Sequence, residues 1–407
     1  MSLLISLTLA AVVAGEPGNV SGFRGPNRNA IYPAQNLLRT WPAEGPKLLW
    51  EASVASGWTA PSVAGGVVYF VGKSGAEGHL QAFTLDGKEV FNVVYGPEKP
   101  KEGPRATPAI GDGRLYYESN LGILYCLDAQ TGAKLWIANV NDYGDTSTQT
   151  GGVFASPLLY RDLVIVASRS MSNTVPSFVA FQAKTGKLAW QGNLGPSPDP
   201  LKGWSNFHET PILVDTGKGV LVVNAFFRGI GAVHAETGEK AWTIPFGKGS
   251  KLGAVQSVFN EGYLFLGGAL MQKLQPDGTF KTLWESPARQ PEYNVSYSHS
   301  IIKDGRLITF TPPAVKCLDA ETGRLLNSLP CGAQGSIIMA DDRVILFDNR
   351  PKVALIAVGK DGLTEVASFQ PPIGGGRNNN FCHPAVAEGR LFLRKFERVV
   401  VYDLRSP

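Results

Sequence analysis

The chain has 407 residues, with 47 glycines, 28 prolines and only 18% charged residues. This composition, rich in turn formers and poor in charge, is typical of an all-β protein built from many short strands. The net charge of +4 is small for the length and no basic run stands out, which argues against nucleic-acid binding.

The N-terminus predicts a targeting segment. The apolar run from Leu3 to Ala14 has the length of the hydrophobic region of a signal peptide and is too short to span a bilayer. Val12 and Ala14 suit the −3 and −1 positions, so we expect a signal peptide over residues 1–14 and export to the periplasm or beyond. The alternative is a buried N-terminal strand. No cysteine follows the run, so we expect no lipid anchor there.

Residues 15–44 are polar and rich in Pro, Gly and Asn, and predict an irregular arm laid over the folded body. From there on, two kinds of hairpin alternate. The first is a short apolar strand, a Gly/Asp turn and a second apolar strand. Its eight copies begin at Ala60, Thr107, Ser156, Thr210, Gln256, His299, Gly335 and His383.

The second hairpin is best seen at residues 124–136, LYCLDAQTGAKLW, with strong copies at 178–190, 230–242 and 315–327. An alternating strand leads into a Thr-Gly turn and a second strand. Weaker copies bring the complete hairpins to seven. The eighth, residues 398–404, has only its first strand, and the strand around Trp50 supplies the missing partner.

One hairpin of each kind gives four antiparallel strands in about 45 residues, which is one propeller blade. The sequence therefore predicts an eight-bladed β-propeller over residues 45–407. The N-terminal strand closes the last blade, so the ring has no open edge. We name the strands of a blade A to D from the centre outwards.

The repeated residues have structural explanations. Aspartates before the Thr-Gly turn accept hydrogen bonds from its backbone, and the glycines take positive φ. Each Trp on strand D covers the hairpin of a neighbouring blade. Because these residues recur, they mark no single site: Trp50, Asp128, Gly132, Trp136, Gly186, Trp190, Gly238, Trp242, Trp284, Asp319 and Gly323.

The four cysteines show no CxxC spacing, which argues against a zinc or redox motif. Cys126 and Cys317 occupy one position in two distant repeats and are predicted to be small core residues. Cys331 and Cys382 either remain free or form a disulfide in an oxidising compartment.

The spacing Asp-x-x-Thr-Gly-x-x-x-Trp, as in Asp128, Thr131, Gly132 and Trp136, resembles the tryptophan-docking motif of the pyrroloquinoline-quinone (PQQ) propeller family. The resemblance covers roughly residues 45–404. It implies one of two functions. Quinoprotein alcohol and sugar dehydrogenases hold PQQ, usually with Ca²⁺, above the ring centre. Non-catalytic members include the lipoprotein of the outer-membrane β-barrel assembly machinery.

The chain departs from both branches of that family. The alcohol dehydrogenases are longer and carry two adjacent cysteines over the quinone, and no two cysteines are adjacent here. Their calcium ligands and catalytic Asp match no motif in this sequence. The assembly-machinery scaffold has a lipidated N-terminal cysteine. We therefore expect no cofactor, with PQQ and Ca²⁺ only under the dehydrogenase alternative.

Loop length predicts where a site would lie. The turns within a blade are short, whereas several D-to-A loops are long and emerge together at the mouth of the central channel. Residues there, or just before strand A, form the candidate ligand-binding set: Trp58, Arg105, Trp204, Asn206, His208, Glu209, Gln256, His299, Arg377, Asn380 and His383.

This set admits two interpretations. The side chains either bind a polar or anionic ligand, or a sugar stacked on an aromatic ring, or they fill the channel and cap the first strands. Opposite blades lie too far apart for metal–ligand bonds of about 2 Å, so we expect no metal site. No catalytic motif was found, and no catalytic residue is assigned.

The sequence thus favours an exported, monomeric, non-catalytic propeller that binds a protein or polysaccharide partner on its long-loop face. The alternative is a divergent PQQ-dependent alcohol or sugar dehydrogenase. Neither nucleic-acid binding nor a membrane span is expected.

Overall fold

The structure is a computed structural model that describes residues 22–99, 103–143, 154–168, 176–196, 209–226, 229–245, 254–285, 297–373 and 381–406. These residues form eight antiparallel sheets, numbered here as blades 1 to 8 in chain order. Within the described ranges the only helix is one 3-10 turn at Val140–Asp142, and no helix there is long and apolar enough to cross a membrane.

The first two strands precede blade 1: β1 (Ile31–Tyr32) and β2 (Leu48–Ser53). Blades 1 and 2 contain β3 (Ser62–Ala64), β4 (Val67–Ser74), β5 (Glu77–Thr84), β6 (Glu89–Pro97), β7 (Ala109–Gly111), β8 (Arg114–Glu118), β9 (Ile123–Asp128) and β10 (Lys134–Asn139). Blades 3 and 4 contain β11 (Leu158–Tyr160), β12 (Leu163–Ala167), β13 (Phe178–Gln182), β14 (Leu188–Gly192), β15 (Ile212–Asp215), β16 (Val220–Phe226), β17 (Gly229–His234) and β18 (Lys240–Pro245).

A short strand, β19 (Ala254–Val255), follows and pairs in parallel with the first strand of blade 6. Blades 5 and 6 contain β20 (Val258–Asn260), β21 (Tyr263–Leu266), β22 (Leu270–Leu274), β23 (Phe280–Glu285), β24 (Tyr297–Lys303), β25 (Arg306–Thr311), β26 (Ala314–Asp319) and β27 (Leu325–Pro330). Blades 7 and 8 contain β28 (Gly335–Ala340), β29 (Arg343–Asp348), β30 (Val353–Gly359), β31 (Gly362–Phe369), β32 (Ala385–Ala387), β33 (Arg390–Lys395) and β34 (Arg398–Asp403).

The ring closes as the sequence predicts. Strand β2 pairs antiparallel with β34, with Trp50 opposite Val401, and the sheet order is β2-β34-β33-β32. The all-β, eight-bladed architecture with closure by an N-terminal strand is confirmed. Strands A of neighbouring blades contact one another, which places them around the central channel.

Strands B and C are almost fully buried because each sheet packs against both neighbours, and the core is correspondingly continuous. The four cysteines are buried free thiols, so Cys331 and Cys382 form no disulfide in this structure. Burial raises the pKa of the Cys331 thiol to about 12.

The strand-D tryptophans contact the turns of the next blade. Trp136 Nε1–H donates to the carbonyl of Ala183 at 2.9 Å, and its ring lies against Gly186, where φ is +69°. A Cβ at Gly186 would lie 2.6 Å from Trp136 Cε3, so the residue at this turn must be glycine. Trp50 makes the same bond to the carbonyl of Leu85 at 2.8 Å, across the joint between blades 8 and 1.

The course of the N-terminal arm differs from the prediction that the arm lies over the folded body. Strand β1 runs parallel to β28 at the centre of the ring, with Tyr32 beside Ala340. The arm therefore passes through the central channel, from the face of the long D-to-A loops (the long-loop face) to the face of the short A–B turns (the short-turn face). Ala30 and Tyr32 of the arm belong to the same hydrophobic cluster as Met339 of strand A of blade 7, whereas Arg24 and Arg28 donate to backbone carbonyls.

Candidate functional site

The position that precedes strand A carries a chain of hydrogen bonds between blades. The backbone N–H of Ala60 donates to Thr107 Oγ1 (3.0 Å), and that of Thr107 donates to Ser156 Oγ (2.8 Å). The N–H of Ser156 donates to Thr210 Oγ1 (3.2 Å), and that of Thr210 donates to Gln256 Oε1 (3.1 Å). These side chains join blades 1 to 5 at the channel, and Gln256 of the candidate set belongs to this chain.

Two histidines take the same position in blades 6 and 8. The rings of His299 and His383 meet edge to face, with centroids 4.1 Å apart. His383 is 3% exposed, and the Nδ1 atoms of both rings are buried with no hydrogen-bond partner within the described ranges. Burial lowers the pKa of both rings well below 6.5, helped by the charge of Arg24. Both imidazoles are therefore neutral at pH 7.

The first described residues of the arm, 22–24, fill the centre beside this pair and are called the tip of the arm. Phe23 packs edge to face on His383, with centroids 4.9 Å apart. Arg24 is 1% exposed and donates to the carbonyl of Ser300 in strand A of blade 6. Burial lowers the pKa of Arg24 to about 10, although the charge of Glu209 acts to raise it. Glu209, which precedes strand A of blade 4, is 2% exposed.

A second arginine of the arm binds further round the ring. The guanidinium of Arg28 donates to the carbonyls of Ser156 (3.2 Å), Pro211 (3.0 Å) and Pro157. All of its hydrogen-bond acceptors among the described residues are neutral, and burial lowers the pKa of Arg28 to about 9. The arm thus links blades 3, 4 and 6 through backbone carbonyls.

Trp58 and Arg105 lie at the mouth but contact other side chains of the propeller. Trp58 is 7% exposed and packs against Phe381 and Phe396, with centroids 5.1 and 4.3 Å away. The guanidinium of Arg105 lies 4.2 Å from the centre of the Phe154 ring. The remaining candidates lie outside the described residues: Trp204, Asn206, His208, Arg377 and Asn380.

A separate buried polar cluster lies beside blade 1. Glu98 is 3% exposed and accepts hydrogen bonds from Tyr95 Oη (2.7 Å) and Tyr117 Oη (2.9 Å), and from the N–H of Asn120. Burial raises its pKa, opposed by the two tyrosine hydrogen bonds. Tyr95 lies in β6 and Tyr117 in β8, and the sequence analysis did not identify this cluster.

The structure thus brings together His299, His383 and Glu209, and adds two residues that sequence reasoning missed, Arg24 and Arg28. The available signal was the stretch of turn formers at residues 22–29, which contains both arginines. Within the described ranges, no three His, Cys, Asp or Glu residues are close enough to hold a metal. Chemically, the described centre is a filled polar channel that offers neutral imidazoles, backbone carbonyls and one carboxylate.

Comparison with known proteins places this fold in a class. The model of the family described as outer membrane protein assembly factor BamB matches residues 16–192. BamB from Moraxella catarrhalis superposes with a TM-score of 0.64 at 15% identity, covering 89% of this chain and 98% of that one. A quinohemoprotein alcohol dehydrogenase from Comamonas testosteroni gives 0.67 at 12% identity, covering 97% and 82%.

Curated relatives point to the same class. The quinoprotein ethanol dehydrogenase of Pseudomonas aeruginosa is 28% identical over 167 residues, which is 39% of this chain and 25% of that protein. The tetrathionate hydrolase of Acidithiobacillus ferrooxidans is 29% identical over 104 residues, or 25% and 19% of the two chains. The alignment therefore spans about a quarter or less of each relative's length.

The repeats, the eight blades and these matches support a likeness to the PQQ-like β-propeller family. The family model matches residues 16–192, which is less than half of the chain.

Proposed function

We propose that this chain is an exported, non-catalytic propeller that binds a protein partner through its long-loop face. The observation that carries the proposal is the filled ring centre. Phe23, Arg24 and Arg28 of the chain's own arm occupy the place where a substrate pocket would open. A rigid ring with long loops around a closed centre is suited to binding a surface rather than enclosing a small molecule.

The family supports the choice of a protein partner. A family model named for an outer-membrane protein assembly factor matches the first part of the chain, and a BamB structure is covered almost completely. We propose the same class of role here, in the periplasm or outside the cell and as a monomer. A polysaccharide is the alternative partner, which residues outside the described ranges such as Trp204 would bind.

The dehydrogenase alternative would require PQQ with Ca²⁺ at the channel mouth. The described residues do not fit a planar quinone well. Trp58, a candidate stacking platform, is covered by Phe381 and Phe396 and is only 7% exposed. Arg24 is already hydrogen-bonded beneath the mouth.

The partner test uses two exposed aspartates on opposite faces. Asp142 follows strand D of blade 2 on the long-loop face, and Asp361 lies in a C–D turn on the short-turn face. A photo-crosslinking amino acid is placed at each position in the native cells. We expect one defined protein adduct from position 142 and none from position 361, and reversed or equal crosslinking contradicts the proposed face.

A second experiment addresses catalysis. The purified protein is titrated with PQQ and Ca²⁺ while absorbance is followed, and dye-linked oxidation of alcohols and sugars is measured. We expect no stoichiometric binding and no turnover. Stoichiometric binding with turnover would replace the scaffold proposal by the dehydrogenase. A glycan array with the Trp204→Ala variant as control detects polysaccharide binding.

A further inference from the structure

The tip of the arm is buried against groups that titrate. Phe23 contacts His383, the ring of His383 contacts His299, and Arg24 binds the carbonyl of Ser300, one residue from His299. Two imidazoles and a guanidinium therefore share one enclosed volume at the centre of the ring. As long as both imidazoles are neutral, Arg24 is the only cation of the three.

The packing at the tip leaves several polar atoms without hydrogen bonds. Within the described ranges, Nε and Nη1 of Arg24 and the Nδ1 atoms of both histidines are buried and have no partner. A buried polar group without a partner costs roughly 1–3 kcal/mol relative to a hydrated one. Hydration of the tip would relieve this cost, which opposes the buried position of the tip.

The backbone of the arm adds to that cost. Arg24, Arg28 and Ala30 have φ values of +61°, +54° and +62°, in the left-handed region that residues with a Cβ rarely adopt. Withdrawal lets these residues relax. The hydrogen bond from the N–H of Ala30 to the carbonyl of Arg24 (2.9 Å) closes the turn, so its opening reports withdrawal.

The effect of protons on this balance has a definite sign. Among the described residues, the titratable groups that face the histidine pair or Arg24 are these three groups themselves, Tyr32 of the arm and Glu209 before blade 4. Burial lowers the pKa of both imidazoles in the seated state, so the withdrawn state binds more protons below about pH 6.5. The seated arm is thus fully stable above that pH and loses stability as the pH falls. Burial raises the pKa of Tyr32, which stays neutral throughout.

We propose that the arm is an acid-released plug: protonation of His299 and His383 drives the tip of the arm out of the central channel and opens the channel on the long-loop face. The proposal goes beyond the proposed function and does not depend on it. Two added positive charges beside Arg24 in an enclosed volume repel one another and the guanidinium, whereas water solvates them once the tip leaves.

Hydrogen exchange of the full-length chain, followed by mass spectrometry between pH 7.5 and 5.5, tests the plug. Rates are corrected for the intrinsic pH dependence of exchange. We expect protection of residues 24–30 to fall at least tenfold at pH 5.5, since two protons allow up to about 100-fold per pH unit. Protection of strand β12, whose five residues are all buried, should stay unchanged.

Three variants make the test specific. In the double variant His299→Gln/His383→Gln the fall should disappear. Each single variant should keep about half of the fall in protection on a logarithmic scale. The single variants therefore still test the proposal if the double variant does not fold. His234→Gln replaces an exposed histidine of blade 4 and should behave as wild type. The proposal is overturned if protection of the arm is independent of pH, if it falls equally without the two histidines, or if all blades lose protection together.

Discussion

The joint between blades 2 and 3 allows a prediction with an internal control. Gly186 has φ +69°, and a Cβ there would lie 2.6 Å from the Trp136 ring. Gly65, in the A–B turn of blade 1, has φ +57° and no atom within 4 Å of such a Cβ. Alanine at either position adds backbone strain of about 1–2 kcal/mol. Only Gly186→Ala also forces a clash, which costs typically about 1–3 kcal/mol more.

We therefore expect Gly186→Ala to lower the free energy of unfolding by about 3 kcal/mol and Gly65→Ala by about 1 kcal/mol. Urea unfolding followed by tryptophan fluorescence and circular dichroism measures both midpoints. In a Trp136→Ala background the clash is absent, so Gly186→Ala should cost no more than Gly65→Ala does. Equal costs in the wild-type background, or an undiminished cost in the Trp136→Ala background, would refute the assignment of this contact.

Three further predictions concern buried and paired charges. Arg28→Ala leaves three channel carbonyls without their donor, so the arm should be destabilised by about 2 kcal/mol or more, which limited proteolysis of residues 22–32 measures. Because burial raises the pKa of Glu98, its ionisation weakens the fold, and the wild type should lose stability relative to Glu98→Gln as the pH rises from 4 to 8 in thermal melts. Arg405 lowers the pKa of Asp403 to about 2, and the Arg405 side chain is exposed, so the small stabilisation from this pair should persist above pH 4 and vanish towards pH 2, and Asp403→Asn should abolish that dependence.

The propeller ring can be predicted because the sequence features that specify each blade are local and repeated. Alternation recurs in every blade, and the Thr-Gly turn and the Trp position recur in about half of the blades. The unpaired strand at residues 398–404 indicates that an N-terminal strand must complete the last blade. Each of these signals lies within a few residues of the structure it determines. The half-buried Asp128 at its turn, which accepts hydrogen bonds from Thr131, is an example.

The course of the arm could not be predicted in the same way. The partners of Arg28 are backbone carbonyls 128 to 183 residues away, and every residue has a carbonyl, so no side-chain pattern identifies them. The candidate side chains at the channel mouth were predicted as a set. The pairing of His299 with His383 could not be predicted, because it depends on which blades lie beside the arm. The placement of Trp204 and Arg377 in ligand-binding loops at the mouth remains a prediction.

The pairing of β2 with β34 has a consequence for biosynthesis. Leu48 and Tyr402 are partners, so roughly 350 residues must be made between the two halves of one sheet. At a translation rate of about 5–20 residues per second, roughly 20–70 s pass between the synthesis of β2 and the synthesis of β34. During that interval β2 is an unpaired strand and the arm has no finished channel to occupy. The N-terminal segment is thus among the first parts to be synthesised and among the last to acquire its native neighbours, which makes it the part of the nascent chain most in need of protection by chaperones.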